Sequence, residues 1–270
     1  MEVRTVSSGS VESDFVPVKS AERVLRLIEL LTEHRNGLSF TQLHDLTGWP
    51  RSSLYGLLRT MAERHHLDHD PYRQVYRIGV RVWEAGQTFN WGVEIANLAL
   101  PYLEEACEKL SETVQLAVLD GVENIYIAKV DASHSLRLDS YVGARIPAYA
   151  TGIGKVLLAG LSDVEFEARF RDLDLKRFTD TTISTIEELR HVLRRVRAEG
   201  FSVDNGEYTV GVTCYAVPIM DVAGEVTAGI STSIPSARVT DGVETRAIEV
   251  LMGVASRISA KLGYQVRSAV

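Results

Sequence analysis

An α+β protein in two parts is the fold class that the 270-residue sequence predicts: a short N-terminal winged helix-turn-helix, then a larger domain whose antiparallel sheet is flanked by helices. Three observations point there. Residues 19–64 read as an amphipathic helix followed by two shorter helices that meet at a glycine turn. A hairpin pattern follows at once, over Leu67–Ile78. Beyond residue 110, strand-like runs joined by turns alternate with helical stretches.

Residues 1–16 are polar and carry no apolar stretch of signal-peptide type, so a disordered tail and a cytoplasmic location are expected. No apolar run approaches the roughly 20 residues a membrane span needs. Val24, Leu27, Ile28 and Leu31 form one stripe of the first helix, with Ser20 placed to cap it and Asn36-Gly37 to end it. Ser39 and Gln42 fit a capping box, and the short helix after them turns Leu43 and Leu46 inward. Gly48 suits a left-handed turn, and Pro50 suits the first position of the next helix. That helix, Arg51 to about Arg64, buries Leu54, Leu57, Leu58 and Met61. Its other face carries Arg51, Ser52, Ser53, Tyr55, Gly56 and Arg59. Short polar and basic side chains at the start of the second helix are what base edges in a major groove require. Thr41, on the first helix of the pair, joins this set of contacts to double-stranded DNA. In the hairpin, Arg73 at the tip and Arg77 on the return strand suit phosphate or the minor groove.

The formal charge of −7 argues at first against nucleic acid, but its distribution does not. Residues 16–85 carry ten Lys/Arg against eight Asp/Glu, whereas residues 86–270 carry eighteen against twenty-five. The one stretch with a positive balance is the one assigned to DNA.

Residues 17–79 are therefore read as the DNA-binding domain, 80–91 as a linker helix and 92–265 as the second domain. Val82, Trp83 and Phe89 either pair between subunits or pack on the wing. Gly86 and Pro101 are expected to break or kink the helical pattern of residues 80–110. Strands are expected at Val114–Leu119, Ile125–Val130, near Leu136–Ser140, at Phe201–Asp204, Thr213–Ile219 and Val226–Ser233. Helices are expected at Val156–Gly160, near 162–171 and over 184–199, the last capped by Ser184 with Glu187, and a long one over Thr240–Leu262.

Catalytic motifs fail on inspection. Gly152-Ile153-Gly154-Lys155 is not a phosphate loop, because Tyr149 and Val156 stand where glycine and Ser/Thr are needed. No Gly-x-Ser-x-Gly elbow occurs. The two cysteines, Cys107 and Cys214, have no zinc-type spacing and the histidines are scattered. No enzymatic activity, cofactor or metal site is expected. Binding is the better reading. The backbone at Gly152, Ile153 and Gly154 could hold a carboxylate at a helix start. Ser231 and Ser233 face one side of a strand, Cys214 is similarly placed on a neighbour, and Asp204 and Glu207 bracket the loop between. Taken singly, each of these also reads as an ordinary polar strand face or turn cap.

Four stretches together resemble the IclR-type family of bacterial transcriptional regulators, from about Val18 to Leu262. They are Val18–Arg23, Leu46–Tyr55, Ala150–Ala159, and the set Asp204-x-x-Glu207 with Val212–Ile219 and Gly229–Ser233. The resemblance implies a winged helix, a linker helix and a GAF-like effector domain. It also implies a homo-oligomer, a dimer or dimer of dimers, that controls catabolic operons in response to a small organic acid, aromatic acids included. The family's pocket would fall on the Gly152 and Ile153 backbone, Asp204, Cys214, Ser231 and Ser233, with apolar walls from Leu138, Ile146 and Val212. Two positions depart from the family pattern: Tyr149, where histidine is frequent, and Gly56, where a larger residue is usual.

Overall fold

Leu27, Leu30 and Leu31 lie on one face of α1 (Lys19–Glu33) and are buried, which ties this helix to the core of the first unit. The computed structural model describes residues 17–87, 90–132 and 141–265. The chain divides into two compact units, Met1–Phe89 and Asn90–Val270, each with its own core. The expected tail over 1–16 lies outside the described residues.

In the first unit Ser20 sits inside α1, and Val18 occupies the cap position without a side-chain bond, so the expected serine cap is not made. β1 (Leu38–Ser39) leads into α2 (Phe40–Thr47), where the Ser39–Gln42 capping box is present and Leu43 buried as expected, whereas Leu46 is exposed. Gly48 takes φ 64° and ends α2. α3 (Arg51–Glu63) follows, with Pro50 as its N-cap rather than its first residue. Leu54, Leu58 and Met61 are buried against Leu27, Leu31, Leu43 and Leu67, while Leu57 is only partly covered. Burying each such leucine favours the fold by roughly 1.5–3 kcal/mol. β2 (Leu67–Asp70) and β3 (Val75–Ile78) pair antiparallel as the expected wing. β1 adds a third strand through Leu38↔Tyr76 and Ser39↔Val75, an element too short to leave a pattern in sequence. Asp70 shapes the tip, its Oδ1 accepting from the backbone of Tyr72 at 2.9 Å and Arg73 at 3.0 Å. α4 (Val80–Gln87) leaves Val80 and Trp83 exposed and runs through Gly86; Phe89 lies outside the described residues.

In the second unit α5 (Asn90–Leu110) continues through Pro101, so of the break or kink expected there the break does not occur. Proline inside a helix costs about 3 kcal/mol. Here Ile95, Ala99, Leu103 and Ala106 are all buried in one core, and that packing outweighs the lost hydrogen bond. β4 (Thr113–Asp120) and β5 (Glu123–Val130) form a hairpin, and β6 (Arg145–Pro147) pairs with β5. The strand expected near Leu136–Ser140 falls outside the described residues. α6 (Gly152–Ala159), α7 (Asp163–Phe170) and α8 (Ile186–Glu199) follow, then β7 (Ser202–Asn205), β8 (Val212–Met220), β9 (Val226–Pro235) and α9 (Val243–Lys261). The sheet order is β6-β5-β4-β9-β8-β7, and every pairing is antiparallel.

Strand alternation sorts this sheet into two faces. Val114, Leu116, Tyr215, Val217, Ile230 and Ile234 pack with α5 and α9 in one core. Gln115, Cys214, Ser231 and Ser233 hold the alternate positions, with Cys214 opposite Ser233 and Gln115 opposite Ser231. α6 packs over this second face.

α6 begins a full turn earlier than the expected Val156. Thr151 caps it: its Oγ1 accepts from Gly154 N at 3.0 Å and donates to Asn124 Oδ1 at 2.7 Å. A β-carbon on Gly154 would stand 2.2 Å from the carbonyl oxygen of Ala148, and one on Gly229 would stand 2.9 Å from Ile153. Gly154 lets the helix meet the preceding turn backbone to backbone, and Gly229 lets the strand receive the Ile153 and Val156 side chains of the helix. α8 is capped by Thr185, whose side chain accepts from Glu188 N at 3.2 Å, one residue later than the Ser184–Glu187 box expected. Among the described residues no helix is long and apolar enough to cross a membrane.

Two substitutions at glycine separate these constraints. Gly154→Ala is expected to lower stability by about 1–3 kcal/mol, because the methyl group overlaps backbone that has nowhere to move. Gly56→Ala, in the middle of α3 with nothing within 4 Å of the new carbon, is expected to raise it by about 0.5–1 kcal/mol. Urea unfolding of the full chain measures both; unchanged stability for Gly154→Ala would mean that Ala148 can shift aside.

Candidate functional site

The polar edge of α3 stands open. Arg51, Ser52, Tyr55, Gly56 and Arg59 are exposed, Ser53 is half-buried, and Thr41 is exposed near the start of α2. Arg51 lies over the Phe40 ring at 5.2 Å, which holds its guanidinium beside the N-terminus of α3. Arg59 donates to Glu63 Oε1 at 2.8 Å, so a phosphate must displace an exposed partner to reach it. Arg73 is exposed at the wing tip. Arg77 is half-buried and pairs with Asp70 at 3.6 Å, which directs it along the wing. Arg23 was not anticipated: it reaches from α1 to donate to Ser53 Oγ at 2.8 Å and lies 5.0 Å from the Trp49 ring.

The second unit holds a cavity of about 360 Å³ between α6 and the sheet. Ile146, Gly152, Ile153, Asp204, Val212, Cys214, Ser231 and Ser233 all line it. They come from β6, α6, β7, β8 and β9, separated by up to eighty-odd positions along the chain and joined by strand register. Leu138, expected as a further wall, lies outside the described residues. The N-terminus of α6 abuts the cavity through Gly152 and Ile153, where unpaired amide groups and the helix dipole favour an anion. Across the sheet, Cys214 Sγ and Ser233 Oγ are 3.2 Å apart, and Ser233 Oγ donates to Gln115 Oε1 at 3.3 Å.

Gln115, Tyr126, Tyr141, Ala144, Arg145, Thr151, Tyr208 and Thr209 complete the lining and were missed from sequence. Gln115 had left a trace, as the single polar residue within the apolar run Val114–Leu119. Arg145 is held by Asp120 at 2.5 Å and Glu123 at 2.8 Å, so its charge is already matched. Tyr208 and Thr209 sit on the loop after β7, which carries no periodic signal.

That loop is anchored from three sides. Thr179 Oγ1 donates to Gly206 O at 2.7 Å and Thr182 Oγ1 to Glu207 O at 2.6 Å. The Phe178 and Tyr208 rings meet at 4.9 Å. From beneath, Lys155 donates to Val203 O at 2.8 Å and forms an ion pair with Glu207. Lys155 is 1% exposed, and sequence reading had met it only as part of a failed phosphate motif. Asp204 Oδ1 accepts from Glu207 N at 2.7 Å. Burial pushes the Asp204 carboxyl up to about 7, with Lys155 opposing the shift. Burial likewise pushes the Cys214 thiol and the Tyr126 hydroxyl up, so neither is an anion near neutral pH. A thiol held protonated is a poor nucleophile. Among the described residues no group of three or more His, Cys, Asp or Glu is placed to hold a metal.

Comparison with known proteins agrees along both units. Residues 90–260 match the model of the bacterial transcriptional regulator IclR C-terminal domain, and residues 20–71 match the IclR helix-turn-helix domain. The chain is 32% identical over 247 residues to the transcriptional regulator XynR of Escherichia coli K12, covering 92% of this chain and 98% of that one. It is likewise 32% identical to KdgR of the same bacterium, over 92% and 94% of the two chains. The crystal structure of the Thermotoga maritima IclR superposes with a TM-score of 0.74 at 27% identity, covering 91% and 99%. These relatives are regulators of transcription rather than enzymes.

Lys155→Met is expected to lower stability by about 3–5 kcal/mol, since it leaves the Glu207 carboxylate buried without a counter-charge. Urea unfolding checks it, and the further change Glu207→Leu should restore much of the loss. A pH series isolates Asp204. Its folded value of about 7 stands above the 3.8 of an ordinary aspartate. The folded chain therefore keeps the proton longer, and this group's contribution is complete at acid pH and lost as pH rises through about 7. Asp204→Asn should flatten that part of the fall in Tm between about pH 4 and pH 7; an unaltered pH profile would place the titration elsewhere.

Proposed function

Since the chain belongs to the IclR-type family of bacterial transcriptional regulators, and is thus a DNA-binding regulator, we propose that a small organic acid held in the cavity under α6 sets its operator affinity. The observation that carries this reading is the convergence of eight side chains and backbone groups, named from sequence alone, on one cavity at a helix N-terminus. An acid's carboxylate fits the Gly152–Ile153 end of α6, where backbone dipoles favour negative charge. Its remaining atoms meet hydroxyls from Ser231, Ser233 and Tyr126 and the apolar walls of Ile146, Ile153 and Val212. The tyrosine rings lining the space accommodate an aromatic acid as readily as an aliphatic one.

On the DNA side, a homodimer, or a dimer of dimers, places two copies of α3 in successive major grooves of a near-palindromic operator beside a catabolic operon. Thr41, Arg51, Ser52, Ser53, Tyr55, Gly56 and Arg59 form the groove-facing edge, and Arg73 and Arg77 serve the wing. The ligand changes transcription only through unequal affinity for the subunit arrangements that space the two helices for DNA and those that do not.

Arg51→Ala or Arg59→Ala is expected to weaken operator binding by about 1–3 kcal/mol in a gel-shift titration; unchanged midpoints for both would remove α3 from the interface. A thermal-shift screen of organic acids should find one that raises Tm without being consumed. The double change Ser231→Ala and Ser233→Ala should blunt that acid's effect on DNA binding and leave ligand-free binding intact. A normal response from this variant would move the ligand out of the cavity.

A further inference from the structure

The Ser53 hydroxyl is bonded differently from three threonine hydroxyls on the helices of the first unit. Thr32, Thr47 and Thr60 each donate to the carbonyl four residues back, at 2.8, 2.7 and 2.8 Å. Those hydroxyls are committed to their own helices. Ser53, in the first turn of α3, instead accepts a bond from Arg23 of α1 at 2.8 Å. A guanidinium has donors only, and a serine hydroxyl has one hydrogen and two lone pairs. With Arg23 on one lone pair, the hydroxyl hydrogen is aimed away from the guanidinium. Arg23 is itself set in place by Trp49, whose ring lies 5.0 Å from it in the turn before α3. The donor, its platform and its acceptor thus come from α1, the turn and α3, and they meet at the helix end that the preceding subsection assigns to DNA.

We infer that Arg23 is a positioning residue for DNA recognition, which fixes the Ser53 hydroxyl as a hydrogen-bond donor toward an acceptor on the duplex. The acceptors within reach of such a donor are phosphate oxygens and, in the major groove, N7 and O6 of guanine, N7 of adenine and O4 of thymine. The amino groups of cytosine and adenine are donors and are disfavoured opposite it. Charge adds to the effect, because a hydroxyl that accepts from a cation is a better donor in turn. This role rests on the reading that the edge of α3 meets DNA. It is distinct from a direct phosphate contact by Arg23, in which the arginine would act whether or not Ser53 were present.

A double-mutant cycle separates the two. The probe is a duplex enriched from a random library by the wild-type protein, and the full chain is used throughout. Arg23→Met keeps an apolar stem over Trp49 and removes the donor; Ser53→Ala removes the acceptor. Each single variant is expected to keep its Tm and to lose roughly three- to tenfold in affinity, the range for one hydrogen bond. In the Ser53→Ala background, Arg23→Met is expected to cost nothing further. Arg23→Lys, which keeps a donor, is expected to recover part of the loss, and only where Ser53 is present. An equal loss on removing Arg23 in both backgrounds would overturn the inference in favour of a direct or purely structural role. Wild-type affinity for Ser53→Ala would also overturn it. The wider reading of the α3 edge would then still be judged by the Arg51 and Arg59 variants, so the two failures are told apart.

Discussion

Glycine occupies the points where helix α6 comes closest to the turn before it and to the sheet of the second unit. At Gly154 the helix meets the turn at Ala148, and at Gly229 the β9 backbone meets Ile153. A β-carbon at Gly154 would press α6 against the turn, and one at Gly229 would press the strand against α6. The cavity exists beside this contact rather than through it. Sheet and helix touch along Gly229, Ile153 and Val156, and about 360 Å³ stays open beside the α6 N-terminus, lined in part by small and polar side chains. Thr151 keeps that end from fraying, with both its donor and an acceptor site committed to Asn124 and Gly154. A helix N-terminus facing a half-polar space is therefore a product of backbone packing, and the polar character of the cavity is added by side chains.

Beneath that helix, Lys155 performs the opposite task. It brings a full charge into the interior, where it is tolerated because Glu207 and the carbonyl of Val203 surround it. Breaking either partner would leave a buried ion unmatched, so the arrangement holds β7, the loop bearing Tyr208 and α6 in one relation. The threonine hydroxyls from Thr179 and Thr182 do the same from the other side. The edge of the cavity formed by this loop is consequently built as firmly as its floor.

Much of this was legible in the sequence, for identifiable reasons. Local signals read well: the Ser39–Gln42 box and the Gly48 turn depend on residues within one helical turn, and both occur where the pattern put them. Strand alternation also placed Ser231, Ser233 and Cys214 correctly on one face. What was misread depended on competition or distance. Ser184 and Thr185 are both good caps, and nothing local decides between them. Pro101 looked like a break because its cost is local, whereas the packing that overrides it comes from strands and from α9, far along the chain. Lys155 was passed over because its partners, Val203 and Glu207, lie about fifty residues away. The same holds for Arg23, whose acceptor Ser53 is thirty residues distant.

The two faces of strands β4, β8 and β9 also bear on how such a regulator can diverge. Ile230 and Ile234 serve the core shared with α5 and α9, while Ser231 and Ser233, their immediate neighbours, point to the cavity. Alternation separates the residues that hold the architecture from those that line the cavity, although they are interleaved in one decapeptide. After gene duplication, a copy can exchange Ser231, Ser233 or Cys214 for other side chains and so alter the lining of the cavity while its scaffold stays intact. Room for the cavity to vary among paralogues is thus built into the pleat of neighbouring strands.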